Sequence, residues 1–148
     1  MVSVYLERKT YYETDGIWKN IDREVLYHGN IDGVECAIVN TRGSHPCAYI
    51  NVPKSILDKY NNPELDYDKW FADCHGGFTY ADTKAPGIDS EEDGFWLGWD
   101  YAHCGDYTCI GYNGSILFPP REHEHMWTTG EVLEDIIDTI CSLEYDAD

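Results

Sequence analysis

Thr128-Thr-Gly-Glu-Val-Leu-Glu-Asp-Ile-Ile-Asp-Thr-Ile-Cys141 is the stretch that decides the fold. Thr128 and Glu131 are spaced as a capping box, in which hydroxyl and carboxylate each satisfy an amide that the first helical turn leaves open. Val132, Leu133, Ile136, Ile137, Ile140 and Cys141 then recur at helical spacing and predict one buried stripe. Glu131, Glu134, Asp135 and Asp138 fall on the other face, the early ones well placed on the helix dipole.

Upstream, the pattern is that of short strands. Val2–Leu6 alternates, Val34–Asn40 is largely apolar and Cys47–Val52 is rich in strand formers. His28–Gly33 and Thr41–Pro46 are the predicted turns between them. Lys54–Tyr60 is predicted to make a short helical turn, which Asn61-Asn62-Pro63 ends. Phe78–Ala81 and Phe95–Tyr101 predict two more strands, joined by an acidic, exposed loop over Asp82–Gly94 that carries Pro86-Gly87. Thr108–Tyr112 and Ser115–Phe118 flank Asn113-Gly114, a strong hairpin signal. One helix after many strands predicts an α+β fold: an antiparallel sheet of short strands with a C-terminal amphipathic helix packed on it. No repeat or linker divides residues 1–148, so a single domain is expected.

The chain carries 28 acidic and 10 basic residues, a formal net charge of −18. Residues 61–148 hold twenty of the acids and only Lys69, Lys84 and Arg121 as bases. Such a field repels nucleic acid, anionic membranes and free phosphates, and attracts cations or basic proteins. No run of about 18 apolar residues predicts a membrane span. The amino terminus lacks the order of a secretory signal, so a cytoplasmic protein is expected, with its six cysteines as free thiols.

Two blocks concentrate polar chemistry: Cys74-His75-Gly76-Gly77 and Trp96-Leu-Gly-Trp-Asp-Tyr-Ala-His-Cys-Gly-Asp106. Gly76-Gly77 lets the backbone turn sharply or approach a ligand closely, and His75 before it can titrate near neutral pH. Alternation along Phe95–Tyr101 puts Trp96, Gly98 and Asp100 on one face, with Gly98 opening a slot beside an aromatic wall. Asp100, His103 and Asp106 follow at short spacing, and a carboxylate can orient an imidazole through one ring nitrogen and leave the other free. The plainer alternative is a polar turn whose carboxylates accept backbone amides, with Gly-Gly merely starting a strand.

Cys74, His75, His103, Cys104, Cys109, His123 and His125 are potential zinc ligands, but adjacent Cys-His pairs suit one ion poorly, and no metal or other cofactor is expected. Phosphate loops, dinucleotide fingerprints and Gly-x-Ser-x-Gly are missing, leaving a hydrolase built on Asp100, His103 and Asp106, with His75 as partner, as the remaining catalytic option.

Gly33-Val-Glu-Cys36, Tyr49-Ile-Asn-Val-Pro53, His75-Gly-Gly-Phe-Thr-Tyr80 and Gly98-Trp-Asp-Tyr-Ala-His-Cys-Gly-Asp106 occur in that order. The chain thereby resembles a group of small acidic proteins of bacteriophages and prophages, from about Gly33 onward. Trp99 stands where the group usually has phenylalanine, and Tyr101 where it has cysteine. The resemblance implies a viral origin and one shared site at His75, Asp100, His103 and Asp106.

The expected function is an anti-defence binding protein that inhibits a bacterial immune system. Its small signalling ligand would sit among His75, Gly76, Gly77, Tyr80, Trp96, Asp100, His103 and Asp106, with Arg42 and Lys54 as possible cations for a nucleotide. A second expectation is an acidic mimic of nucleic acid, led by Asp89, Glu91, Glu92 and Asp93, that occupies a CRISPR effector or another basic host defence protein without binding nucleic acid itself. The hydrolase is the third.

Overall fold

A computed structural model describes residues 9–12, 22–41, 44–109 and 118–147. Strand Val2–Leu6, the hairpin around Asn113-Gly114 and Arg42 lie outside the described residues.

The fold is α+β. Strands β1 (Lys9–Tyr12), β2 (Asp22–Ile31), β3 (Val34–Thr41), β4 (His45–Asn51), β6 (Tyr80–Asp82) and β7 (Trp96–Asp100) form a six-stranded sheet in the order β1-β2-β3-β4-β7-β6. Every neighbouring pair in it is antiparallel. β5 (Trp70–Phe71) pairs with β8 (Glu144–Tyr145) in a separate ribbon. The short helix α1 (Lys54–Leu57) follows β4, and α2 (Thr129–Ser142) is the long helix. Among the described residues no helix is long and apolar enough to cross a membrane.

β2 runs further than its sequence announces. Residues 28–31 belong to the strand, and the chain reverses only at Asp32-Gly33, both with positive φ, as a two-residue primed turn requires. A register shift between Val25 and Tyr27 turns this strand partway along.

Both faces of the central strands are covered. On one, Val34, Cys36, Ile38, Ala48, Ile50, Leu97 and Trp99 pack with Val132, Leu133 and Ile136 of α2. Each large aliphatic side chain buried there contributes about 1.5–3 kcal/mol. The helical stripe is shifted from the expected one: Thr139 is buried, Cys141 is exposed, and Ile137 and Ile140 are half-buried. On the other face, Val25, Ala37, Val39, Cys47, Tyr49 and Trp96 pack with Ala85 and Ile88.

That second layer corrects the reading of Asp82–Gly94 as a wholly exposed loop. Its acids Asp89, Glu91, Glu92 and Asp93 are exposed, but Ala85 and Ile88 close over the sheet. Lys84 reinforces the loop by donating from Nζ to the carbonyls of Ser90 (2.7 Å) and Glu92 (2.8 Å).

Candidate functional site

The capping box at Thr128 and Glu131 forms as predicted: the Glu131 amide donates to Thr128 Oγ1, and the Thr128 amide to Glu131 Oε1. It fixes where α2 begins, and the segment before it reaches back to the second polar block. The Tyr107 amide donates to the His125 carbonyl (2.9 Å), and the His125 amide to the Gly105 carbonyl (2.7 Å). This parallel bridge between Asp106 and His125 brings Trp127 beside Asp106.

Asp106 is the centre of the arrangement and only 7% exposed. Its Oδ2 lies 2.7 Å from His75 Nε2 and accepts the His103 amide at 2.9 Å, while Oδ1 accepts Trp127 Nε1 at 2.8 Å. Burial pushes its pKa up, but the His103 amide, the His75 ring and the Trp127 indole outweigh burial and hold it below the ordinary 3.8. The ionised Asp106 takes the Nε2–H of His75 and so fixes the ring, leaving Nδ1 as its outward-facing nitrogen. Among the described residues Nδ1 has no hydrogen-bond partner.

The His75 ring is held by aromatics. It stacks on Tyr101 with centroids 4.9 Å apart and planes 2° from parallel, and Trp127 lies 4.8 Å away. Below it, Asp135 Oδ2 accepts the His75 amide (3.1 Å), the Tyr101 hydroxyl (2.5 Å) and Trp99 Nε1 (3.3 Å). Burial, then the bond to Asp135, raises the Tyr101 pKa, so the hydroxyl stays a donor. The placement of Asp135 corrects its assignment to the solvent face: it is half-buried and ties α2 to the His75 turn.

Gly76 and Gly77 follow with φ of +73° and +79°. The close approach at Gly76 is to another side chain, since a Cβ there would meet His103 Nε2 at 2.3 Å. His103 packs edge-on to His75 at 5.4 Å, and its Nε2 lies 3.4 Å from Asp100 Oδ1, too poorly aligned for a hydrogen bond. Asp100 also accepts from Thr79 Oγ1 and from the Ala102 amide. His75, His103, Asp100 and Asp106 thus form one connected group.

Tyr80 and Trp96 do not join it. Both pack on the far face of the sheet, where Trp96 is 1% exposed and Tyr80 sits edge-on to Tyr49 at 5.2 Å. Nor does Gly98 open a slot: the Tyr49 ring lies over it, 2.5 Å from where a Cβ would stand.

His75 instead opens on a small cleft of about 270 Å³ shared with Trp127, Glu131, Glu134, Asp135 and Asp138. Glu131 Oε2 also lies 2.7 Å from His125 Nε2. Burial pushes the Glu131 pKa up, but the Thr128 amide, His125 and the Thr128 hydroxyl together hold it below 4.5. Four carboxylates, an imidazole and an indole make a lining, rich in negative charge, that suits a cation. Trp127, Asp135 and Glu131 are the site residues that the sequence alone did not reveal. Their link to His75 runs through tertiary contacts, and the only local signal was a tryptophan immediately before the helix cap.

Cys74 precedes His75 in the chain, but its thiol is a poor nucleophile. Burial, with Asp135 adding to it, pushes the Cys74 thiol up to about 12, which keeps it protonated. All six cysteines are free thiols. Among the described residues no group of three or more His, Cys, Asp or Glu is arranged to hold a metal ion. Comparison with family models, curated proteins and solved structures finds no match to this chain.

Proposed function

We propose that this chain is an anti-defence binding protein of phage type, acting in a bacterial cytoplasm, whose ligand places a positively charged group in the His75–Asp106–Trp127 cleft. The single observation that carries the binding site is the lining of four carboxylates around a histidine whose orientation a buried carboxylate fixes. The viral context rests on the resemblance of the ordered motifs to phage proteins.

The electrostatics narrow the ligand. The cleft holds four carboxylates and no lysine or arginine, so a phosphate group would meet repulsion. Its volume is below the roughly 300 Å³ at which drug-sized sites begin, so it takes an ammonium or guanidinium group rather than a whole nucleotide. A signalling ligand sequestered here therefore presents an amine.

Native mass spectrometry of the protein purified from bacterial cells, beside Trp127→Ala, tests this reading. Extra mass from a basic compound, lost in the variant, is expected. A phosphorylated compound, or the same extra mass on both proteins, contradicts it.

A second reading is favoured by the ordered acidic loop. Ala85 and Ile88 anchor it and Lys84 braces it, so Asp89, Glu91, Glu92 and Asp93 are presented on a fixed frame. A surface of that kind suits imitation of nucleic acid before a basic defence protein. Bare protein in both mass spectra, with steeply salt-dependent binding to such a partner, would shift the function to this surface.

A further inference from the structure

Beyond the cleft, the described surface exposes three large hydrophobic side chains, and two stand together: Tyr67, 43% exposed, and Phe71, 53% exposed. They lie four residues apart, Tyr67 in the turn Tyr67–Lys69 and Phe71 in β5. With Asp68, Trp70, Ala72, Gly77 and Phe78 they border a recess of about 190 Å³. Its size suits one inserted side chain rather than a ligand of about 300 Å³ or more.

The rim is acidic. Exposed Asp68 borders the recess itself, exposed Glu144 pairs with Phe71 across the ribbon, and Glu64 and Asp73 are exposed in the same segment of chain. Lys69, the one base of this segment, is held by Glu64 at 2.9 Å. Asp66 spends a carboxylate oxygen on the Asp68 amide, whereas the Asp68 carboxylate has no partner among the described residues.

We infer that this surface docks an arginine-bearing segment of a partner protein, with a guanidinium in the recess between Tyr67 and Phe78 and Asp68 as its counter-ion. Aromatic anchors within a polar rim are the composition of an interface centre. Among cationic side chains arginine fits best, because its plane stacks on a ring while its fork pairs with a carboxylate. A second copy fits badly, since a two-fold contact would set these acids against themselves. Nucleic acid and anionic lipid meet the same repulsion. The inference is independent of the cleft, which lies against α2.

The test is an amide NMR titration of the intact protein with nona-arginine and with nona-lysine, repeated on Tyr67→Ser/Phe71→Ser and on Asp68→Asn. Both aromatics are exposed, so folding should survive their replacement, and the unchanged dispersion of the spectrum verifies it. The largest shifts are expected at residues 67–73, with several-fold tighter binding of the arginine peptide. Affinity should fall about tenfold in the double variant and by a smaller factor in Asp68→Asn. No saturable shift at residues 67–73, equal binding of the two peptides there, or an unaffected response of those residues in the double variant would overturn it. So would self-association of the protein that the double variant abolishes, which would assign the patch to a second copy.

Discussion

Gly76 shows how closely the site is packed. Its φ of +73° already disfavours any side chain, and a Cβ would sit 2.3 Å from His103 Nε2. Gly77 has a similar φ but open space around it. Gly76→Ala should therefore cost about 1–3 kcal/mol for the backbone alone plus the displacement of His103, and Gly77→Ala only the backbone part. Denaturant unfolding of the two variants checks this, and equal losses would mean that the contact with His103 is unimportant. At this scale the sequence was informative where partners are near neighbours: the turn Gly76-Gly77 and the group Asp100, His103 and Asp106 were legible. Trp127 and Asp135 were not, because their roles come from a bridge between distant segments. Tyr80 and Trp96 looked like walls of the same pocket, yet the loop carrying Ala85 and Ile88 covers their face of the sheet and packs them into a second core.

The elements divide in the same way. α2 was legible because its signals are local, a cap followed by an apolar stripe. Thr128→Ala removes the hydroxyl that accepts the Glu131 amide and should cost about 1 kcal/mol, or about 2–4 °C in melting temperature for a chain of this size. Thermal unfolding by circular dichroism measures it. A melting temperature unchanged within a degree would mean that packing of α2, rather than its cap, sets where the helix begins. β3, β4 and β7 were legible as apolar runs, since both faces of the central strands are buried. β2 was not, because Asp22, Arg23 and Glu24 open it and Tyr27-His28-Gly29 interrupts its alternation. β5 and β8 are too short to leave a pattern and exist through their pairing with each other.

At the scale of the whole molecule, charge and titration set the behaviour. Asp106 and Glu131 are both held below their ordinary values of 3.8 and 4.5. A carboxylate depressed on folding stabilises the native state above its unfolded pKa, and that stability is lost as pH falls through the folded value. Stability should therefore decline from about pH 4.5 downward, although acid also relieves the repulsion within a chain of net charge −18. Unfolding curves between pH 6 and pH 3 test the sign. Asp106→Asn should flatten the decline, and an identical profile in the variant would mean that Asp106 does not contribute to it.

On the function proposed above, the cleft beside His75 takes a cation. The most direct measurement is an NMR titration following the Trp127 indole resonance with spermidine and, separately, with ATP. A saturable shift with spermidine that Glu134→Gln/Asp138→Asn weakens is expected, and no saturable shift with ATP. A saturable response to ATP and none to the amine would contradict it.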